Sequence, residues 1–353
     1  MNRRQALQQI LGTASVLAVG RGTCGAAAEP KRSGMGLVSY CLAYRQKLLR
    51  QQAKSDLADP LGFLDFCHRL GAGGVQTPLG ACDETYARSL RSRAESYGMY
   101  VETMVELPGK ESERERFEVQ IRTAAAAGVR DVRAVLVPGR RYEWYDSAEK
   151  FRQFDQRGRQ SLQWAAPIVE RHRVRLAVEN HKTHFAAELA DILRRTGSDY
   201  VGACVDTGNN LALLEDPMAV VETLAPMAFS VHLKDQAVKE YEEGFLLADI
   251  PLGQGVLDLK RMVAILRQAR PEVRFSLELI TREPLRVPCL TEKYWLTMAS
   301  LSGRDLARTL RLVRARPSQS FPPVDGLPLQ QQVDLEAANV ERSLEYARDE
   351  LRI

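Results

Sequence analysis

Eight short apolar runs, each followed by a longer stretch of helical spacing, set the strongest limit on what this chain can fold into. The runs are MGLVSYC (35–41), GGVQT (73–77), YVETMVE (100–106), DVRAVLV (131–137), VRLAVEN (174–180), YVGACVD (200–206), FSVHLKD (229–235) and VRFSLEL (273–279). Between them lie segments such as DPLGFLDFCHRLGA (59–72), ERFEVQIRTAAAAGV (115–129), AAELADILRRTG (186–197) and DLKRMVAILRQA (258–269). Their apolar residues recur at the helical period, and several close on glycine, as helix C-termini do. Strand and helix in steady alternation predict a parallel α/β sheet. Eight such units within roughly 250 residues predict that the sheet closes into a (β/α)8 barrel, because an open doubly wound sheet more often stops at five to seven strands. A chain of 353 residues, 45% of them hydrophobic, can bury one domain of that size and still carry extensions.

The two ends read differently. The chain opens MNRRQALQQILGTASVLAVGRGTCGAAAEP, with Arg3 and Arg4 ahead of a short, weakly apolar stretch and three alanines at 26–28. This is the pattern of a twin-arginine export signal over residues 1–28, which predicts a periplasmic or otherwise exported protein. The apolar part is too short to span a bilayer, so no stable membrane insertion is expected after cleavage. The barrel is expected over residues 33–310. Residues 311–353 read as a Pro- and Ser-rich linker, RPSQSFPPVDGLP (316–328), and a charged amphipathic helix, DLEAANVERSLEYARDELRI (334–353). That helix is too short for a core of its own and is expected to pack on the barrel or on a partner subunit, which leaves room for a homo-oligomer. None of the six cysteines stands at C-x-x-C spacing; no disulfide framework is expected, and Cys41, Cys67 and Cys204 read as small core residues. A net charge of +4 without a basic stripe argues against a nucleic-acid partner.

In a barrel, the C-terminal ends of the strands converge on one mouth. The fifth run ends in Glu179, Asn180 and His181, the sixth in Asp206, the seventh carries His232 and Asp235, and the eighth carries Glu278. Glu179 and Asp206 are 27 residues apart and Asp206 and His232 are 26 apart, about one β/α unit each, while the 46 residues to Glu278 allow one inserted loop. Three carboxylates and an imidazole gathered there suit one divalent metal ion, Mn, Co, Mg or Zn. Burying the three acids together without a cation would be costly.

VENH, CVDTGN, VHLKD, LGQGVLD and SLEL resemble, in that order, the motifs of the sugar phosphate isomerase/epimerase family, xylose isomerase-like TIM barrels that include ketose 3-epimerases and inosose dehydratases. The likeness runs from about Met35 to Leu301. It implies one metal held by Glu179, Asp206, His232 and Glu278, with Glu179 and Glu278 facing opposite sides of a bound sugar as catalytic acid/base groups. It also implies an isomerase or epimerase of a keto-sugar or related polyol, working by proton abstraction through a metal-stabilised enediolate. The same ligands would serve a lyase or dehydratase acting on a 3-keto-glycoside or cyclitol. A non-catalytic sugar-binding barrel is the reading from a different class. An apurinic endonuclease of this superfamily needs about three zinc ions and many histidines, and only five histidines are present. Candidate substrate contacts are His181, Lys182, Asp235, Arg282, Arg141 and Trp144, the last three from the arginine- and aromatic-rich loops PGRRYEWYD and TREPLRVPCLTEKYW. Lid packing is the alternative for Tyr142, Trp144 and Trp295. Asn209 stands where many members of the family carry histidine, which removes a possible extra ligand. LGQGVLD reads as a turn into a helix capped by Asp258 rather than as a phosphate cradle.

Overall fold

The computed structural model describes residues 32–54, 57–80, 82–318, 321 and 323–353; the export-signal reading of residues 1–28, and Cys24 with it, lies outside them. Eight parallel strands close a barrel: β1 (Gly36–Val38), β2 (Gly74–Gln76), β3 (Tyr100–Met104), β4 (Asp131–Val135), β5 (Arg175–Glu179), β6 (Val201–Asp206), β7 (Ala228–Leu233) and β10 (Arg274–Leu277). Each strand pairs with its neighbour in sequence, and β10 closes the ring by pairing with both β7 and β1. The strands are shorter than the apolar runs that announce them, and in all but the sixth the last residues of the run already belong to the loops of the mouth.

The floor of the barrel is built around one side chain. Tyr100 crosses the interior from β3, and its hydroxyl meets the Phe275 carbonyl at 2.7 Å and Ser276 Oγ at 2.9 Å on β10. Gly36 and Gly74 make this possible, since a Cβ on either would lie 2.4 Å from an atom of the Tyr100 side chain. Above the phenol sits a sealed polar layer. Gln76 Nε2 and Ser230 Oγ donate to Glu102 at 2.9 and 2.8 Å, and all three residues are buried. Burial, aggravated by the nearby Asp131 carboxylate, raises the pKa of Glu102 to about 7.

Two additions surround this frame. Lys234 alone separates β7 from a hairpin of β8 (Asp235–Tyr241) and β9 (Gly244–Ile250), which forms a three-stranded antiparallel sheet with β11 (Leu285–Val287). The interval before Glu278, read from the sequence as an inserted loop, is therefore ordered structure. Val238, Phe245, Leu247 and Val287 give the sheet an apolar face that packs with Tyr294, Met298 and Val313. Tyr142, an alternative lid residue, is buried in that cluster 5.6 Å from Tyr294. The helix Gly303–Ala315 runs across the expected boundary at residue 310. The last helix, Leu329–Asp349, begins earlier than its charged pattern suggested. It lies on the outside of the barrel, with Val340, Leu344 and Ala347 in the main core and the Glu336 carboxylate accepting the N–H groups of Tyr44 and Arg45 at 2.8 and 3.0 Å. Cys41, Cys67 and Cys204 are buried free thiols, and among the described residues no helix is long and apolar enough to cross a membrane.

Candidate metal centre

Glu179 is the last residue of β5, Asp206 the last of β6, His232 the penultimate residue of β7, and Glu278 follows β10 directly. The register explains why they meet. Glu179 is level with Cys204, Asp206 with His232, and His232 with Ser276, so each step around the ring keeps the next ligand at the same mouth. All four are buried, and each offers an atom within 4.8 Å of the others.

The strand ends are held by side chains that replace the missing ladder bonds. Asn180 Oδ1 accepts the Asp206 N–H at 2.7 Å while its amide donates to the Asp206 carbonyl at 2.8 Å. Thr207 Oγ1 accepts the Lys234 N–H at 3.0 Å, and the Gly208 and Asn209 N–H groups fix Asp206 Oδ1 at 2.9 and 2.7 Å. His232 donates from Nε2 to Gln76 Oε1 at 2.8 Å, which ties the ring to the polar layer below and selects its tautomer.

That bond leaves His232 Nδ1 buried without a hydrogen-bond partner among the described residues, 3.7 Å from Glu179 Oε2 and 3.5 Å from Glu278 Oε2. Asp206 Oδ2 also accepts no hydrogen bond, although Lys234 Nζ is 2.9 Å away. An imidazole nitrogen and three carboxylates converging in this way fit a divalent cation with nitrogen and oxygen ligands. Positive charge already balances the acids: Arg133 of β4 pairs with Glu179, and Lys234 Nζ lies 2.6 Å from Glu278 Oε2. Burial opposes ionisation of Glu278 and Glu179. The Lys234 and His232 charges outweigh it at Glu278 and take its pKa well below the carboxylate range, and the Arg133 guanidinium lowers that of Glu179. At Asp206 burial wins over Lys234 and raises the pKa to about 6.

The cluster opens into a cavity of about 360 Å³ whose walls include His181, Lys182, Trp144 and Arg282, four of the six residues expected to meet substrate. Burial keeps His181 neutral, with a pKa near 4, and its Nδ1 lies 3.1 Å from the Gly139 carbonyl. Lys182 is buried beside Asn209 Oδ1; burial, with Lys234 close by, takes its pKa down to about 8. The other two expectations are corrected. Asp235 turns away from the mouth, because its carboxylate accepts the N–H groups of Gln236, Gly253, Gly255 and Leu257 and so shapes the LGQGVLD turn. That turn leads into a helix capped by Asp258, as its residues indicated. Arg141 is buried, bound to the Thr183 and Thr297 carbonyls and to Glu188, with its guanidinium 3.9 Å from the Phe151 ring; its neighbour Arg140 reaches the cavity instead. His184 pairs with Asp155, and Trp295 Nε1 donates to the Cys289 carbonyl, so both serve packing.

Three residues of the centre were not singled out from the sequence. Arg133 is a charged residue inside the largely apolar fourth run, Lys234 stands between His232 and Asp235, and Tyr40 follows the first strand into the cavity. Asn209, expected only to remove a ligand, donates to Glu179 Oε1 at 2.8 Å and accepts from Lys182.

Comparison with known proteins gives a consistent picture of the fold. The model of a family described as xylose isomerase-like TIM barrel matches residues 64–297. A 3-oxo-isoapionate decarboxylase of Pectobacterium atrosepticum is 25% identical over 233 residues, which cover 64% of this chain and 77% of that protein. Among solved structures, an L-ribulose 3-epimerase superposes with a TM-score of 0.52 at 16% identity, covering 90% of this chain and 96% of its own. A D-psicose 3-epimerase studied in the presence of D-fructose gives 0.53 at 13% identity, covering 82% and 92%.

Proposed function

The chain belongs to the xylose isomerase-like TIM barrel family, and we propose that within it the protein is a divalent-metal-dependent isomerase or epimerase of a keto-sugar or related polyol. The observation that carries this reading is the convergence of Glu179, Asp206, Glu278 and the unpartnered Nδ1 of His232 at the floor of an open cavity. These four residues would hold one cation, which when bound polarises a carbonyl and its neighbouring hydroxyl and so acidifies the adjacent C–H. Glu179 and Glu278 flank His232, and both are held ionised, so either can accept a proton from carbon. Arg133 and Lys234 fix the two carboxylates, and Asn209 joins Glu179 to Lys182. Trp144 and Arg282 in the wall suit stacking on a sugar ring and binding its oxygens.

A second reading, a lyase on a 3-keto-glycoside, cyclitol or sugar acid, draws on Lys182. Its buried ammonium faces the cavity and has no carboxylate hydrogen-bond partner among the described residues, which suits a departing oxygen or a substrate carboxylate. The decarboxylase relative supports the same direction.

Incubating the Mn²⁺-loaded protein with a panel of keto-sugars in D₂O tests both. Deuterium beside the carbonyl in an isomeric product supports the epimerase, and loss of water, CO₂ or an aglycone supports the lyase. Failure to take up metal, with no exchange on any keto-sugar, would refute both. The arginine pair and the alanines at 26–28 support export to the periplasm. Replacing Arg3 and Arg4 by lysine is expected to hold the protein in the cytoplasm, and periplasmic recovery of that variant would contradict export.

A further inference from the structure

The loop after β5 buries an ammonium that the four candidate ligands do not need. Lys182 is 4% exposed and lines the cavity into which their cluster opens. Arg141 fastens this loop, donating its N–H to the Lys182 carbonyl at 2.8 Å and its guanidinium to the Thr183 carbonyl at 3.2 Å. An ammonium carries three N–H donors. Among the described residues the Asn209 amide oxygen is the one acceptor that Lys182 finds, and no carboxylate hydrogen-bonds to it. Burial and the charges of Lys234 and Arg282 oppose its proton more than Asp206 and Asp249 favour it. A buried charge held in this way is costly until a counter-charge reaches it.

The surrounding acids are already committed. Arg133 is paired with Glu179, and Lys234 with Asp206 and Glu278, so two cations answer the three carboxylates of the cluster. A divalent ion on those ligands would more than answer the remainder. Arg282, on the loop after β10, lines the same cavity. Its Nη2 is 3.7 Å from Asp249 Oδ2, too far for a hydrogen bond, and its guanidinium makes none among the described residues. Glu278 is the one acid in a described lining that also holds Arg133, Arg140, Lys182, Lys234 and Arg282.

A neutral sugar would leave that excess of positive charge unanswered. A carboxylate answers it with one negative charge and two oxygens for the free donors of Lys182 and Arg282. Phosphate is commonly cradled by the N–H groups of a helix N-terminus. In the helix that follows Lys182, Ala186–Thr196, those groups are occupied: Phe185 N–H donates to Glu188 at 3.0 Å and Ala186 N–H to Glu215 at 3.0 Å.

We propose that the substrate carries a carboxylate, held by Lys182 and Arg282, so that the protein acts on a keto-sugar acid rather than on a neutral or phosphorylated sugar. This rests on the proposed function for what the cation cluster does. The carboxylate seat stands on the two cations themselves and serves isomerisation and elimination alike.

D-Fructose, D-fructuronate and D-fructose 6-phosphate differ in the group carried at C6, and calorimetry on the full-length Mn²⁺-loaded protein compares them. D-Fructuronate is expected to bind on the order of tenfold tighter than D-fructose, the gain of charge-assisted hydrogen bonds, and tighter than the phosphate. Lys182→Met is expected to abolish that preference, and the more exposed Arg282→Gln to reduce it. Metal-free Lys182→Met should unfold no earlier than wild type, because it leaves no carboxylate unpaired; the lost preference then reports on binding and not on folding. Equal affinities, no binding of D-fructuronate, tighter binding of the phosphate, or a preference that survives both variants would overturn the proposal. Mn²⁺ uptake and deuterium exchange into neutral ketoses, without any such preference, would keep the proposed function and refute the seat. A preference that depends on Lys182 in a protein that takes up no Mn²⁺ would do the reverse.

Discussion

Replacing Lys234 by methionine separates two roles of the buried charge. The ammonium lies 2.9 Å from Asp206 Oδ2 and 2.6 Å from Glu278 Oε2, and those carboxylates hold its pKa well above the ordinary value although burial works against the charge. Methionine keeps most of the packing stem and removes the charge. In metal-free protein this leaves two buried carboxylates facing each other, and breaking a buried pair in this way costs about 3–5 kcal/mol. For a domain of this size each kcal/mol moves the midpoint by roughly 2–4 °C, so the lower figure alone predicts a fall of about 6–12 °C. Mn²⁺ binding to the same carboxylates restores positive charge, so the gap to wild type should narrow sharply in its presence. Affinity for the cation should rise as well, since no ammonium then competes for Asp206 and Glu278. Thermal unfolding followed by circular dichroism, with chelator and with saturating Mn²⁺, measures all of this. If Lys234→Met lost the same stability under both conditions, or none in chelator, the charge-balance account would be wrong.

Gln76→Leu removes the acceptor that orients His232, and Mn²⁺ affinity measured against a competing chelator dye is expected to drop 10- to 100-fold, as it does when outer partners of a ligand are lost; unchanged affinity would dismiss Gln76 as an orienting group. Asp235→Ala leaves four backbone N–H groups without their acceptor, and urea unfolding should reveal a loss of at least about 3 kcal/mol with unchanged metal stoichiometry. A small loss, or one that also cost metal, would show that the residue does more than shape its turn. Burial raises Glu336 from 4.5 to about 7, against the pull of the Tyr44 and Arg45 N–H groups. The folded state thus binds the extra proton more tightly, so this group's contribution is full below pH 4.5 and is lost as pH rises through about 7, a span of at most about 3 kcal/mol. Unfolding free energies at pH 5 and pH 8 should show wild type losing stability relative to Glu336→Gln, and a difference constant with pH would contradict the shift.

The barrel was legible in the sequence because eight buried strands produce eight apolar runs, and the four ligands were legible because each falls within or at the end of one. Arg133 and Lys234 were harder. A charge in or just after a strand looks solvated until ring closure sets β4 beside β5, where Arg133 comes level with Ala177, two residues before Glu179. The β8–β9 hairpin lacks the usual signal, since its turn is Glu242–Glu243 ahead of Gly244 rather than an Asn-Gly pair. Arg141 and Asp235 misled for a shared reason. A polar side chain near the mouth can satisfy itself on backbone groups of neighbouring loops, and only the direction of the side chain tells which it does.

The phenol of Tyr100, lodged where Gly36 and Gly74 leave space, closes the floor of the barrel among the described residues and leaves the mouth as the way in. Traffic is therefore last in, first out. Were a cation to sit on Glu179, Asp206, His232 and Glu278, as proposed, its way out would lie through the cavity above, because Gln76, Glu102 and Ser230 fill the layer beneath. A sugar bound there would act as a stopper, and a chelator would strip the metal only as fast as the sugar departs.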